Sequence, residues 1–271
     1  MKIDRNQKLI TLIISLVLGL VILTSTYIFQ DDLVELNPLG IGEILKYALY
    51  VVGAIGMLVG LWMLYAYLNE DKLQLTTKHL TVIAIQSALS VLLYYFVKFP
   101  LPIFPGFLDI HVSEIPALIT SFMYGPFIGS IVIIVRFLIK LPSTITAGVG
   151  ELADLIMGLT LVIIAGLIYK KNKTLNGALI SLGVGSISAT VVALFVNYFI
   201  LIPAYVNIAH IAVEAIVGMC SMIPGITVDN FLIAYTFGGA LPFNLFRFVI
   251  VSVLTFLLYK RVSGFINKVT N

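Results

Sequence analysis

Four ionisable side chains interrupt stretches that are otherwise apolar: Arg136, Glu151, Asp154 and Arg247. A charge inside a membrane-length apolar run is costly, so it marks either a buried ion pair or the path of a polar ligand. Glu151 and Asp154 stand three residues apart, as do Asn244 and Arg247, so each pair falls on one helix face. Asn197 sits at a similar depth in its own run. The chemistry these groups offer is recognition, by ion pairing and hydrogen bonding. Pairing of Arg136 and Arg247 with Glu151 and Asp154 would by itself hold helices together. Two amides at the same level, beneath a proline-stiffened aromatic loop, point instead to a small-molecule pocket. That loop lies in "KFPLPIFPGFLDIHVSEIPAL" (Lys98–Leu118), where four prolines and a glycine punctuate three phenylalanines. Tyr94, Tyr95, Phe96 and Phe99 match an interfacial aromatic belt. Phe104 and Phe107, set among prolines, read as ligand-facing, and Asp109 joins them as a polar candidate. Gly148 and Gly150 open the helix that carries Glu151. Such a start can bind an anion or a carbonyl oxygen, although turn chemistry alone accounts for two glycines.

The elements that must position these residues follow from composition. Of 271 residues, 60% are hydrophobic and 11% charged, against about 25% charged in soluble domains. Mean hydropathy is +1.10, and runs of about 20 apolar residues, each long enough to span a bilayer, recur along the chain. The net charge of +3 is distributed over helix ends, which argues against a nucleic-acid partner. One cysteine, Cys220, leaves no internal disulfide and no thiolate set for a metal. The expected fold class is therefore all-α, a polytopic membrane protein in the lipid bilayer.

A first span is expected over Leu9–Phe29 as an uncleaved helix, and a second over Ile41–Leu68, with Gly53, Gly56 and Gly60 allowing close helix approach. The polar "NEDKLQLTTKH" separates residues 1–78, an N-terminal two-helix extension, from residues 79–271. Six further helices are expected at Leu80–Val97, Val112–Tyr124, Phe127–Leu141, Gly150–Tyr169, Leu175–Tyr205 and Pro242–Val262. Val206–Ala240 reads as a mixed segment broken at Pro224-Gly225 and Gly238-Gly239. A break at Gly125-Pro126 places "YKKNK" and "YKRV" on the same side as the basic N-terminus. The positive-inside rule makes that side cytoplasmic, with both termini there and Lys98–His111 facing outward.

Enzymatic signatures are missing: no G-x-x-x-x-G-K-[ST], H-E-x-x-H or G-x-S-x-G occurs. His79, His111 and His210 stand isolated in sequence and read as incidental. The expectation is a protein without catalytic residues, metal or cofactor.

The stretches "FPGFLDIHVSEIPALITSFMYGP", "GVGELADLIMG", "NYFILIPAY" and "LPFNLFRFVIVSVLTFLLYKRVS" resemble the riboflavin-type substrate-binding subunits, or S-components, of energy-coupling factor (ECF) transporters. The likeness covers about Leu80 to Phe265 and leaves the first two helices outside it. It implies a six-helix S-component bundle in the bacterial cytoplasmic membrane that captures a vitamin from outside, beneath the loop joining its first two helices. Riboflavin or FMN would be its ligand, not a cofactor. Its implied partners are a transmembrane coupling subunit and two cytoplasmic ATPases. Ala84-x-x-x-Ala88 resembles the small-residue motif with which such subunits contact the coupling protein, and small residues do permit close approach. The chain departs from the relatives in the third bundle helix, where Ile133, Arg136 and Phe137 replace an acid followed by Lys-Asn. Asp154 replaces a common Asn, and Arg247 a common Lys. If Asp154 faces the ligand, Asp154→Asn should change selectivity and largely spare stability. A flavin-handling membrane subunit uncoupled from the ATPases is the alternative function.

Overall fold

The computed structural model describes residues 76–143, 148–207 and 211–270, with side chains to 261, and isolated helical positions among residues 14–22 and at 49. The chain divides into two compact units, Met1–Thr76 and Thr77–Asn271. The expected N-terminal helix pair, with its glycines, lies outside the described residues, as does His210.

In the second unit α1 (Thr77–Phe96) leads into a short antiparallel hairpin, β1 (Lys98–Pro100) and β2 (Asp109–His111). Then follow α2 (Ile115–Tyr124), α3 (Pro126–Lys140), α4 (Val149–Lys171) and α5 (Leu175–Val196). A π turn, Asn197–Leu201, continues α5 into α6 (Ile202–Asn207). After α7 (Val213–Met219), α8 (Phe231–Tyr235) runs through a second π turn, Thr236–Ala240, into α9 (Leu241–Thr270). Among the described residues five helical stretches are long and apolar enough to cross a membrane. The ten-residue α2 is apolar but too short to span.

Local chemistry sets the boundaries. Gly125 ends α2 at φ 94°, its N–H donating to the Ser121 carbonyl at 2.8 Å, and Pro126 then opens α3 where a missing N–H does no harm. The sequence break at Gly125-Pro126 is therefore present. The Thr174 hydroxyl caps α5 by accepting from the Gly177 N–H at 3.0 Å. The bundle core centres on α4, which packs against α2, α3 and α5, while α9 closes over α5 and α2. At the end away from the hairpin, the Tyr169 and Tyr259 hydroxyls meet at 2.8 Å and Phe122 stacks on Tyr169. Further along, the Ser186 and Ser252 hydroxyls join α5 to α9 at 2.7 Å.

Three features differ from the sequence reading. The stretch expected to be a loop contains a ladder, pairing Lys98 with His111, Phe99 with Ile110 and Pro100 with Asp109. Gly238-Gly239 does not break a helix, which continues from α8 into α9. A Cβ on Gly238 or Gly239 would come within 2.8 or 3.0 Å of the Ile223 side chain, so these glycines admit a neighbour rather than end an element. Finally, both π turns run into an X-Pro step, Ile202-Pro203 and Leu241-Pro242. Proline removes its own N–H and presses on the carbonyl four residues back, which falls on Phe199 and Gly238, inside the wide turns.

Candidate functional site

Beneath the hairpin, four elements bring ionisable groups to one place. Glu114 precedes α2, Arg136 and Lys140 lie one turn apart on α3, Asp154 is on α4 and Arg247 on α9. All are buried, Glu114 completely. Asp154 is the hub. Its Oδ2 accepts from Arg136 Nη2 at 2.9 Å and from Lys140 Nζ at 3.0 Å, and its Oδ1 accepts from Arg247 Nη2 at 2.5 Å. Glu114 Oε1 pairs with Arg247 Nη2 and stands 3.4 Å from Arg136 Nη1. Ser113 links the set to the hairpin, accepting from Arg136 Nη1 and lying 2.9 Å from His111 Nδ1. The His111 Nε2 is 3.4 Å from Asp154 Oδ1, and its ring meets Tyr94 edge-on at 4.9 Å. Lys140 Nζ sits 3.5 Å from the centroid of that same Tyr94 ring, a cation–π contact.

A second, aromatic wall adjoins this cluster. Phe104 packs edge-on against Phe243 at 5.3 Å, and Phe107 lies 6.1 Å from Tyr205 and 5.8 Å from Tyr235. Tyr235 donates to Asn197 Oδ1 at 2.9 Å, and Asn197 Nδ2 donates back to the Ala193 carbonyl. Asn244 Nδ2 donates to the Ala240 carbonyl, but its buried Oδ1 has no partner. A buried acceptor left unmade is expensive, and Asn244 lies one turn from Arg247 on α9. Wall and cluster are thus joined along one helix.

The structure therefore brings Arg136, Asp154 and Arg247 together, sets Asn197 on the Tyr235 that packs with Phe107, and packs Phe104 with Phe243, one position before Asn244. The remaining expected residues are less buried or lie on other elements, and Glu151 is near enough to Tyr94 and Tyr205 to act on both electrostatically. Asp109 is partly exposed on the hairpin and pairs with Lys98 at 2.9 Å. Glu151, a turn from Asp154, is only partly buried, and the two arginines take Glu114 as their second carboxylate in its stead. Gly150 lies in the first turn of α4, after Gly148 at φ 84°. Ala84 and Ala88 are on the exposed side of α1, beside Ile85 and Leu89, and do not pack inside the bundle.

Three functional candidates escape the sequence reading. Glu114 is inconspicuous within Ser-Glu-Ile-Pro. Lys140 carries a usable signal, its i,i+4 spacing from Arg136. His111 is isolated in sequence but not in space, because the hairpin folds it over Asp154. The ligand atoms of His111, Glu114 and Asp154 lie within 4.8 Å of one another. Yet Arg136, Lys140 and Arg247 already occupy those carboxylates, so a metal cation does not suit this set.

The described residues thus form a bundle of membrane-length helices with a buried polar cluster beneath a hairpin, the architecture of an integral membrane protein. The profile of the family "ECF transporter, substrate-specific component" matches residues 78–259, and the chain belongs to that family. It is thus a component of a multi-pass membrane transporter, not an enzyme. Among its relatives, "Riboflavin transporter RibU" of Staphylococcus aureus (strain TCH60) is 29% identical over 192 residues, covering 71% of this chain and 94% of the relative. "Riboflavin transporter RibU" of Streptococcus thermophilus (strain ATCC BAA-250 / LMG 18311) is 31% identical over 196 residues, covering 71% and 86%. A solved S-component, described as "Structure and mechanism of the S component of a bacterial ECF transporter", superposes with a TM-score of 0.54 at 29% identity, covering 69% of this chain and 96% of that one. The expected all-α, S-component-like bundle is the fold observed.

Proposed function

We propose that this chain captures riboflavin or a related flavin at the hairpin end of its bundle for ATP-driven uptake by partner subunits. The reading is supported by two aromatic groups, Phe104 with Phe243 and Phe107 with Tyr205 and Tyr235, together with the buried, unpartnered Asn244 Oδ1 on the helix that carries Phe243. Aromatic faces supply contact area to a planar heterocycle, and a fixed acceptor orients its N–H edge. Asn197, Arg136, Asp154 and Arg247 form the polar floor; Asp109, Gly150 and Glu151 lie at its margin. The names of the relatives support a flavin as the substrate. The hairpin faces outward and both termini face the cytoplasm, in keeping with the placement of lysines and arginines. Residues 1–78 form an extension to the substrate-binding domain of residues 79–271.

The partners are a transmembrane coupling subunit and two cytoplasmic ATPases, since the chain has no phosphate-cradling loop of its own. The exposed Ala84 and Ala88 give the coupling subunit a face that a second helix can approach closely. Two measurements test the reading. The purified protein should quench riboflavin or FMN fluorescence on binding; no quenching and no thermal shift with either flavin would remove the flavin assignment. Ala84→Leu and Ala88→Leu should bind flavin normally yet fail in uptake when reconstituted with the partner subunits. Full uptake in both variants would move the docking face elsewhere.

A further inference from the structure

We infer that Tyr235 is a positioning residue, one that fixes which atom of the buried Asn197 amide is offered to a ligand. The inference rests on the flavin reading above and deepens it. An amide side chain can present its carbonyl or its N–H₂, and rotation of the group exchanges the two. At Asn197 the neighbours make the choice. The Ala193 carbonyl, one turn back on α5, can only accept, so the atom that meets it at 2.8 Å is Nδ2. Oδ1 then faces the Tyr235 hydroxyl, which donates to it at 2.9 Å. With both bonds made the oxygen is engaged, while Nδ2 keeps a second N–H with no acceptor among the described residues.

Asn244 shows the same amide without a tyrosine. Its Nδ2 also donates to a carbonyl one turn back, that of Ala240 at 2.8 Å, but its Oδ1 has no partner. The two buried amides are therefore not equivalent: Asn244 has an open oxygen to give, and Asn197 an N–H. Tyr235 is itself held in place. It is completely buried, and its ring lies 5.8 Å from that of Phe107, which the hairpin connection carries. A Cβ on Gly239 would stand 3.2 Å from the Cδ2 atom of the same ring, so the glycine gives the ring its seat. The phenolic oxygen lies on the axis of the ring, so a seated ring fixes the position of the hydroxyl. A buried tyrosine hydroxyl ordinarily finds some partner. Here the partner is an amide with a donor to spare, on the floor where the flavin reading places it.

The test is a double-mutant cycle on riboflavin affinity, read by fluorescence quenching with the full chain in detergent. Its four proteins are the wild type, Tyr235→Phe, Asn197→Ala and the double variant. Tyr235→Phe keeps the ring and removes only the hydroxyl, which frees the Asn197 amide to rotate. It should weaken riboflavin binding about fivefold, the scale of one hydrogen bond. In the Asn197→Ala background the same change should have no further effect on affinity, because the hydroxyl acts only through that amide. A lower melting temperature with affinity per folded molecule unchanged would show a hydroxyl that serves the fold alone, and overturns the inference. An equal loss of affinity in both backgrounds overturns it too, since Tyr235 would then act without Asn197. In either case wild-type binding leaves the flavin reading intact. If the wild type binds neither riboflavin nor FMN, the flavin reading falls and this inference falls with it. Should Tyr235→Phe fail to fold, the wild type labelled with ¹⁵N-asparagine decides, its Asn197 signal assigned by loss in Asn197→Ala. Riboflavin should shift one of the two amide proton resonances of Asn197, and no shift overturns the inference.

Discussion

Asp154→Asn is the substitution that most directly interrogates the buried cluster. In the native protein Asp154 receives Arg136 and Lys140 on one oxygen and Arg247 on the other. An asparagine replaces one of those oxygens with an amide N–H₂, and either choice aims donors at donors. Turned one way it opposes Arg247; turned the other it opposes Arg136 and Lys140. The charge change compounds the misfit, because Asp154 is the carboxylate that meets Arg136, Lys140 and Arg247 at once. Removing one partner of a buried ion pair costs about 3–5 kcal/mol, which for a domain of this size lowers the melting temperature by roughly 10 °C. The resemblance to relatives with an amide at this position suggests a change of selectivity with stability spared. The geometry gives the substitution a structural cost as well. Melting temperature and flavin affinity per folded molecule should be measured for each variant in one detergent. The double variant Asp154→Asn/Lys140→Gln should recover at least about 1 kcal/mol, because it withdraws a cation together with the lost carboxylate. A melting temperature for Asp154→Asn within about 2 °C of the wild type would refute the hub assignment, since it corresponds to well under the cost of a broken buried pair.

Arg247→Ala should destabilise by about 3 kcal/mol, since it strips the wholly buried Glu114 of its nearest cation. Arg247→Lys should cost less, retaining the charge without the planar fork; equal melting temperatures would contradict this. Cys220, the single cysteine, is buried between α7 and α8, and burial pushes its thiol up to about 11. At about pH 7.5, well below that value, it should resist maleimide in the native protein and react on unfolding; rapid native labelling would show that this segment opens. Gly129→Ala should lower the melting temperature, because its Cβ would stand 2.7 Å from the Ala117 carbonyl oxygen and 2.9 Å from Val162. The overpacking cost is about 1–3 kcal/mol, and an unchanged melting temperature would mean that α2 and α3 are loosely packed.

Most of the helical scaffold was legible because its punctuation is chemical. Gly125-Pro126 could be read as a kink in one long helix or as an end followed by a start, and the placement of the basic residues chose the break. The site was legible in part. Arg136, Asp154 and Arg247 stand out because each is a charge in an apolar run, a signal that needs no partner to be noticed. Glu114 and His111 sit where the run is already broken by prolines, so their polarity looks ordinary. Only the hairpin pairing and the close seat of α2 turn them inward. Lys140 resembles a helix-end lysine, and its depth follows from packing against Tyr94, which hydropathy does not encode. The π turns leave no compositional trace, because widening a helical ring changes hydrogen-bond partners and not residue types. Their one written sign is the proline placed just beyond each.

Those two prolines also distribute stiffness. A helix resists bending through its regular ladder of backbone bonds, and kinks gather where the ladder is interrupted. In α5–α6 and α8–α9 the interruptions lie against each other, at the level where Tyr235 reaches Asn197. Beyond them, the lower lengths of α5 and α9 are cross-linked by Ser186 and Ser252, and α4 is tied to α9 by the tyrosine pair. The points where both helices can bend thus share one level with Asn197, Tyr235 and Asn244, and the Tyr235–Asn197 bond is what spans the gap between them there.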